Sequence, residues 1–377
     1  MKYMGSKRAM LSDGLGEILR QQSVGTERFA DLFAGSSAVA WFVAENSKCQ
    51  VLASDLQLFS AILAKAVIAR AEPLDSDKIW NLWSARADAW LSRNAHVTAA
   101  EEFEAKNWRR ARRQSVEKAR NLCASSDSYL TKAYGGHYFS PKQALNLDAL
   151  RATLPTETHA RNAALAALIC AASQCAGAPG HTAQPFQPTT NAAKFLFEAW
   201  RRDVREHAKS ALKNICFRRA QRAGGARVSD AQALAQELCK DDLAFLDPPY
   251  SGVHYSRFYH VLESVARGHC ENVSGTGRYP APTERPKSDF SIKSKSRSAL
   301  DNLLATLSKN CVRTIVTYPA EKTSNGLSGR IVEEVAAKYF KVTKTIVNGR
   351  FSTLGGNLTN RKARIPAYEV ILVLSPR

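Results

Sequence analysis

The stretch that most constrains the fold is the unbroken apolar run at 243–246, which leads directly into Asp247, Pro248 and Pro249. A short apolar run bounded by proline is typical of a strand in the interior of a parallel sheet. The two prolines fix φ and supply no backbone N–H, so neither a helix nor a central strand continues through them. Because open α/β sheets place ligands at the carboxyl ends of their strands, we expect Asp247 at the rim of a cleft.

The residues after this run are rich in hydrogen-bond acceptors. The Asp247 carboxylate and the Pro248 carbonyl both accept, and Tyr250 adds a flat ring beside them. Two acceptors next to an aromatic face suit an exocyclic amino group on a planar base. Taken alone, the segment is equally compatible with a strand-to-loop turn that carries a capping aspartate.

A second informative region lies near the N-terminus. An apolar strand pattern ends at Asp31, a loop of small residues follows from Gly35, and the next strand pattern, 51–54, ends at Asp55. Strand, tight loop and helix form the first half of a nucleotide-binding βαβ unit, and an acidic residue about twenty positions after the glycine binds a ribose diol in such folds. The full Gly-x-Gly-x-x-Gly pattern is absent, which argues against NAD or FAD.

Charge and cysteine content narrow the class of protein. The 53 Lys+Arg exceed the 34 Asp+Glu, which gives a net charge of +19 and favours a polyanionic partner such as nucleic acid, although a solvated basic surface is the alternative. The eight cysteines form no CxxC pair and no secretory signal is visible, so we expect a reduced, cytoplasmic protein without a metal site. The longest apolar stretch, 163–176, is too short to span a membrane and predicts a buried helix.

The order of these motifs resembles a known family. YMGSK at 3–7, DLFAG at 31–35, Asp55, a long intervening region and DPPY at 247–250 are similar to the motifs of the D12 class (Dam-like) DNA N6-adenine methyltransferases, in their α-group order. The resemblance spans nearly the whole chain and implies S-adenosylmethionine (SAM) as methyl donor. It departs from the family at Ser37, which stands where the Asp-x-Phe-x-Gly-x-Gly motif has its second glycine.

The resemblance implies a role for each matched residue. It implies cofactor binding by Tyr3, Lys7, Asp31, Phe33, Gly35, Asp55 and Asp230. Tyr3 and Lys7 correspond to residues that grip the methionine carboxylate of SAM, whereas capping of a helix explains Asp31 or Asp230 as an alternative. It implies catalysis by Asp247, Pro248, Pro249 and Tyr250. Asp247 and the Pro248 carbonyl would orient adenine N6, and Tyr250 would stack on a base flipped out of the duplex.

Three segments are candidates for DNA contact. The densest basic cluster consists of Arg109, Arg110, Arg112 and Arg113, which forms either a solvated face or a track for phosphates. The irregular, proline-rich stretch 177–190 resembles part of the family's target-recognition region, and its Gln184 and Gln187 suit base edges. Lys293 and Lys295 lie in a polar stretch, 280–297, that we expect to be a loop near DNA.

These observations predict an α/β fold, namely a SAM-dependent methyltransferase (Rossmann-like) sheet, mostly parallel, with an antiparallel strand at the C-terminal edge. We expect residues 1–70 and 210–377 to form the catalytic domain, and 71–209 a helical insertion for target recognition. Short strands are predicted at 215–217 and 227–230, and a terminal hairpin at 342–347 and 367–374.

The predicted function is site-specific methylation of adenine N6 in double-stranded DNA, in a bacterial or phage modification or defence system. No nuclease-like or helicase-like region is visible, so any restriction or defence partner is expected to be a separate chain, and no membrane is involved. Two alternatives stay open. One is an RNA methyltransferase acting on an exocyclic amine, because Asn/Asp-Pro-Pro-Tyr recurs there, and the other is a catalytically silent DNA-binding module.

Overall fold

The computed structural model describes residues 1, 3–105, 112–270, 272–352 and 364–377, which divide into two compact units. The first, called here the sheet unit, comprises Met4–Glu72, Arg219–Tyr255 and Pro286–Arg377. The second, the helical unit, comprises Met1–Tyr3, Pro73–Arg218 and Ser256–Arg285. The predicted insertion, 71–209, is therefore shorter than the helical unit, which also takes in a segment that follows the DPPY motif.

The sheet unit is built on a seven-stranded sheet. Its strands are β1 (Arg28–Asp31), β2 (Gln50–Asp55), β3 (Gly225–Val228), β4 (Asp242–Leu246), β5 (Arg313–Pro319), β6 (Phe340–Ser352) and β7 (Arg364–Pro376). They follow the order β3-β2-β1-β4-β5-β7-β6, in which the first five run parallel and β7 is antiparallel to both of its neighbours. The predicted fold class, including the antiparallel pair at the C-terminal edge, is confirmed.

The position of β4 explains its composition. It pairs with β1 on one side and β5 on the other, so that Phe245 lies between Asp31 and Ile315, and all five of its residues are buried. A strand covered on both faces needs apolar side chains on both, which is why the run is continuous rather than alternating. Pro248 and Pro249 then end the strand, so Asp247 emerges at the carboxyl edge of the sheet beside the end of β1.

Helices cover the faces of the sheet. In the sheet unit they are Arg8–Ser12, Leu15–Gln22, Ala38–Asn46, Leu58–Ile68, Ala231–Ala235, Ser296–Lys309 and Gly329–Ala336, with a 3-10 turn at Asp289–Ser291. One core cluster joins β4, β5 and β7 to the helices Ser296–Lys309 and Gly329–Ala336 through Leu246, Val316, Leu304, Val332 and Leu372. Burial of these apolar side chains holds the edge from which Asp247 projects.

The helical unit contains most of the remaining helices. They are Ser76–Leu91, Val97–Ala105, Arg112–Ala124, Tyr129–Tyr134, Pro141–Ala152, Thr158–Cys175, Ala193–Trp200, Val204–Phe217 and His260–Arg267, with a 3-10 turn at Pro282–Glu284. A short helix, Tyr255–Phe258, lies where the chain passes from the sheet unit into this unit. The predicted helix at 163–176 is confirmed up to Cys175, as part of Thr158–Cys175, and Ala176 is its C-cap. Within the described ranges, no helix combines the length and the apolar character needed to cross a membrane.

One predicted strand is wrong. Residues 215–217 form the end of the helix Val204–Phe217 rather than a strand. Val204, Ala208, Leu212 and Ile215 are its buried apolar positions, and their spacing of three and four residues is that of one helix face. The apolar triplet alone suits a strand, but the longer period of the helix decides its structure. The strand predicted at 227–230 overlaps β3 only at 227–228, because β3 ends at Val228 and Asp230 caps the next helix. The predicted terminal hairpin corresponds to β6 and β7, with Val342 opposite Leu374.

Candidate active site

Asp247 is held at the end of β4 by two side chains that come from distant parts of the sequence. Lys7 Nζ lies 2.8 Å from Asp247 Oδ1, and the Thr317 hydroxyl of β5 donates to the same oxygen at 3.0 Å. Among the described residues, Oδ2 accepts no hydrogen bond. The side chain of Asp247 is 18% exposed. One carboxylate oxygen is therefore fixed and the other remains available to a ligand.

Lys7 joins a second carboxylate to the site. Its Nζ lies 3.3 Å from Glu369 Oε2, and it also donates to the Gly5 carbonyl at 3.2 Å. The Glu369 contact is an ion pair rather than a well-aligned hydrogen bond, since Oε2 is buried without a hydrogen-bond donor in the described part of the chain. Glu369 belongs to β7, where it pairs with Pro319 of β5.

The pKa values of this group follow from burial and mutual charge. Burial raises the pKa of Asp247 above its ordinary value, Lys7 opposes that shift, and Glu369 adds to it. For Lys7, burial acts to lower the pKa, but Asp247 and Glu369 outweigh it, so the pKa is raised and the ammonium stays charged. Lys7 is thus the group that favours the ionised form of Asp247 in a poorly solvated position.

The side chain of Asn325 holds the turn after Asp247 in place through hydrogen bonds. This fully buried amide donates to the Pro249 carbonyl at 2.7 Å and to the Phe290 carbonyl at 2.9 Å. In the described residues, the Pro248 carbonyl accepts no hydrogen bond. The Pro248 carbonyl, in the residue after Asp247, is thus a second acceptor that the described residues leave unoccupied.

Tyr250 is packed against the N-terminal loop. Its ring meets Tyr255 edge-on, with centroids 6.2 Å apart. Gly5, at φ +72°, lies so close that an added Cβ would come within 2.7 Å of the Tyr250 hydroxyl oxygen. Both the left-handed conformation and the close approach require glycine there. The YMGSK and DPPY motifs are therefore in direct contact through Gly5 with Tyr250 and Lys7 with Asp247.

The loop after β1 forms a second cluster at the same edge of the sheet. The backbone N–H of Gly35 donates to Asp55 Oδ2 at 2.9 Å, and the backbone N–H of Gln57 donates to Asp55 Oδ1 at 2.9 Å. Gly35 and Ser37 both have positive φ, +48° and +62°. Ser37 therefore takes up the left-handed conformation that a glycine adopts without strain, which keeps the backbone path despite the departure from the family motif.

Asp31 lies beneath this loop rather than on its surface. It is 1% exposed, and its Oδ1 accepts from the Phe33 amide at 3.3 Å. Burial, together with the nearby Asp247 and Asp55, raises the pKa of Asp31 to about 8 against hydrogen bonds that lower it. The buried carboxyl shapes the loop from inside. Direct contact between Asp31 and a cofactor stays a prediction.

Asp230 and Tyr3, two further predicted cofactor residues, each have defined contacts within their own unit. Asp230 follows β3 and caps the helix Ala231–Ala235 by accepting from the Gln232 amide at 2.8 Å, while the neighbouring Ser229 amide donates to the Asp55 carbonyl at 3.0 Å. Tyr3 belongs to the helical unit and stacks on Tyr259 with centroids 4.6 Å apart.

The predicted DNA-contact residues fall in different places. Arg109 and Arg110 lie outside the described residues, as does the side chain of Arg112, and Arg113 is exposed and paired with Glu117 at 3.2 Å. In the helical unit Gln184 is exposed, whereas Gln187 donates to the Pro185 carbonyl at 3.0 Å. Lys293 and Lys295 are exposed in the sheet unit, where Lys295 pairs with Asp289 at 3.3 Å. Their contact with DNA stays a prediction.

Three residues of the site were missed in the sequence. Glu369, Thr317 and Asn325 belong to none of the motifs, yet each contacts Lys7 or the Asp247–Tyr250 segment directly. For Glu369 there was a signal, because it is a single acidic residue that opens the apolar run 370–374 of β7. Thr317 and Asn325 carried no comparable mark.

The strand order and the motifs at the carboxyl edge are those of a SAM-dependent methyltransferase fold. The model of one family, D12 class N6 adenine-specific DNA methyltransferase, matches residues 3–302. The chain belongs to this family.

The chain is also similar to named modification enzymes. It is 22% identical to the modification methylase LlaI of Lactococcus lactis subsp. lactis, over 84% of this chain and 46% of that protein. It is 24% identical to the modification methylase StsI of Streptococcus sanguinis, over 85% and 44%, and 26% identical to the type II methyltransferase M.FokI of Planomicrobium okeanokoites, over 85% and 45%. The chain spans somewhat less than half the length of these relatives.

Proposed function

We propose that this protein transfers a methyl group from SAM to N6 of an adenine at a specific site in double-stranded DNA. The observation that carries the proposal is the pair of open acceptors, Asp247 Oδ2 and the Pro248 carbonyl, in the segment that ends with Tyr250. An exocyclic amino group carries two hydrogens and requires two such acceptors. Membership of the D12 class supports the same reaction.

The residues at the end of β4 act on the nucleophile. Adenine N6 is a weak nucleophile because its lone pair is delocalised into the ring. Hydrogen bonds from N6 to Asp247 and to the Pro248 carbonyl favour a tetrahedral nitrogen and localise the lone pair. Lys7 and Thr317 occupy Oδ1, so that Oδ2 is left for the amino group. Holding N6 in line with the departing sulfur lowers the activation barrier. The general upper limit for such positioning is roughly 7 to 11 kcal/mol.

The cluster after β1 suits the cofactor. SAM, when bound, supplies the sulfonium methyl group that N6 attacks. The Gly35 turn presents backbone without a side chain, the half-buried Asp55 lies beside it, and the N-terminus of the helix Ala38–Asn46 follows. We assign Phe33, Gly35 and Asp55 to the wall of this site, Asp230 to its edge, Asp31 to loop support, and Lys7 to its methionine end.

The substrate enters as a flipped base. An adenine stacked in a duplex cannot reach acceptors in a cleft, so the base must leave the stack, and Tyr250 offers a ring against which it stacks. We assign target recognition to the helical unit, which contains the predicted insertion and its exposed Gln184. The names of the relatives favour a role in a modification system.

The experiment that tests this function is a competition between methyl acceptors. The pure protein and radiolabelled SAM are incubated with adenine-containing duplex, with a duplex of guanine and cytosine only, and with structured RNA. We expect label in the first alone. Label in RNA would support an RNA methyltransferase instead, and the absence of SAM binding in calorimetry would support a silent DNA-binding module.

A further inference from the structure

Two arginines of the helical unit share one aromatic ring. The guanidinium carbon of Arg257 lies 4.8 Å from the centroid of the Tyr279 ring, and that of Arg285 lies 5.5 Å from it. Both distances are within the range of a cation–π interaction. The two guanidinium carbons are therefore no more than roughly 10 Å apart, which is about the Debye length at 0.1 M salt. The ring brings two positive charges together.

These charges have no counter-ion in the described part of the chain. Arg257 is exposed and Arg285 half-buried, and neither guanidinium group forms an ion pair or hydrogen bond with a described residue, although the Arg257 carbonyl lies 3.1 Å from His260 Nδ1. The Nε of Arg285 is buried without an acceptor, which is costly for a charged donor. Several other arginines of this unit have a carboxylate partner, as Arg267 has in Glu263 at 2.9 Å. Within the described ranges, the Arg257–Arg285 pair therefore has no carboxylate partner.

The ring that holds them is fixed in place. Tyr279 closes a tight turn by exchanging two backbone hydrogen bonds with Ser274, each 2.9 Å long. The Gly277 carbonyl of this turn accepts from the Tyr138 hydroxyl at 2.9 Å and lies 2.9 Å from His260 Nε2. Burial, with smaller contributions from Arg285 and Arg257, lowers the pKa of His260 to about 4 against hydrogen bonds that raise it. The anchored turn therefore fixes the Tyr279 ring on which both guanidinium groups lie.

We propose that Arg257 and Arg285 bind a backbone phosphate of the DNA duplex. This inference rests on the proposed function and names the surface by which the helical unit holds its substrate. Guanidinium groups donate in a planar fork that matches phosphate oxygens. The predicted recognition stretch, 177–190, is adjacent, because the Thr182 amide and hydroxyl donate to the Phe258 carbonyl at 2.6 and 2.9 Å, next to Arg257. A phosphate contact here sets the register in which Gln184 meets the bases.

The test is the salt dependence of duplex binding, measured by fluorescence anisotropy for the wild type, Arg257→Gln and Arg285→Gln. Each phosphate contact contributes about 0.9 to the slope of log K against log salt. Because the two arginines share one phosphate, we expect each variant to lose up to about that amount of slope and to bind roughly five- to ten-fold more weakly at 0.1 M salt. Arg86→Gln is the control, because Arg86 is exposed in the helix Ser76–Leu91 of the same unit and its replacement removes the same charge.

The other outcomes are distinguishable. If both variants match Arg86→Gln in slope and affinity, the phosphate site is wrong. If inorganic phosphate raises the melting temperature only when both arginines are present, while their loss leaves duplex affinity intact, the site binds a free anion and the inference is also overturned. A wild type that binds duplex through these arginines but transfers no methyl group supports the inference and contradicts the proposed function.

Discussion

Lys7 Nζ and Asp247 Oδ1 lie 2.8 Å apart, which joins the N-terminal motif to the end of the central strand β4. The contact is made in a poorly solvated position, where an unpaired carboxylate is costly. The charge of Asp247 thus depends on Lys7, and both motifs belong to one site. The family resemblance implies that Lys7 binds the carboxylate of SAM. The ion pair indicates a second role, which is to keep Asp247 ionised.

Replacement of Lys7 by Met is expected to shift the pH profile of methyl transfer to higher pH. Burial already raises the pKa of Asp247, and Lys7 is the group that opposes the shift. Without Lys7 the carboxyl ionises only at higher pH, so the acidic limb of kcat/KM moves in the alkaline direction, and we expect kcat at neutral pH to fall roughly ten- to hundred-fold. An unchanged profile with weakened SAM binding would show that Lys7 serves the cofactor alone.

Replacement of Glu369 by Gln is expected to shift the acidic limb of kcat/KM to lower pH. Glu369 raises the pKa of Asp247 and competes for Lys7, so the neutral amide lets Asp247 ionise at lower pH. We expect kcat at neutral pH to stay within about three-fold of the wild type, since Glu369 touches neither acceptor of the amino group. The pair of variants is its own control, because a purely structural effect would move both profiles in one direction or neither.

Replacement of Asp31 by Asn is expected to make stability less dependent on pH. The pKa of Asp31 is raised from 3.8 to about 8 in the folded protein, so the folded state retains a proton that the unfolded chain releases. The associated stability is complete below about pH 4 and is lost as pH rises through about 8. Measured by urea unfolding, the free energy of unfolding should fall across this pH window by on the order of a few kcal/mol more in the wild type than in Asp31→Asn. Equal losses would contradict the protonated, buried carboxyl.

Two replacements of Asp230 separate capping from cofactor binding. Serine also caps helices, so Asp230→Ser should keep the stability of the wild type within about 0.5 kcal/mol, while Asp230→Ala loses about 1 kcal/mol. If the carboxylate contacts SAM, both variants should bind SAM roughly ten-fold more weakly in calorimetry. SAM affinity equal to that of the wild type in both would leave Asp230 as a helix cap only.

The parts of the fold that were predicted from sequence are those whose signal is local. Neighbouring residues in the sequence are enough to predict the apolar run of β4, the prolines that end it, and the loop between Asp31 and Asp55. The triplet at 215–217 misled because three apolar residues suit a strand, and only the longer period of the helix Val204–Phe217 reveals its buried face. Segment type was decided by periodicity over more than ten residues.

The contacts around Asp247 could not be predicted because they depend on strand register. Glu369 reaches Lys7 only because β7 is antiparallel to β5, with Glu369 opposite Pro319. Thr317 reaches Asp247 from the adjacent parallel strand, and Asn325 comes from a loop whose fold is not encoded in a motif. Such partners lie far apart in sequence, and without the sheet nothing relates them.

The most direct test of the central claim is to methylate unmodified genomic DNA with the pure protein and SAM and to map N6-methyladenine by single-molecule sequencing, beside the variant Asp247→Ala. We expect N6-methyladenine at one recurring sequence with the wild type, and a loss of roughly three orders of magnitude or more in the variant while SAM is still bound. Near-normal methylation by Asp247→Ala, or no N6-methyladenine from a wild type that binds both SAM and duplex, would contradict it.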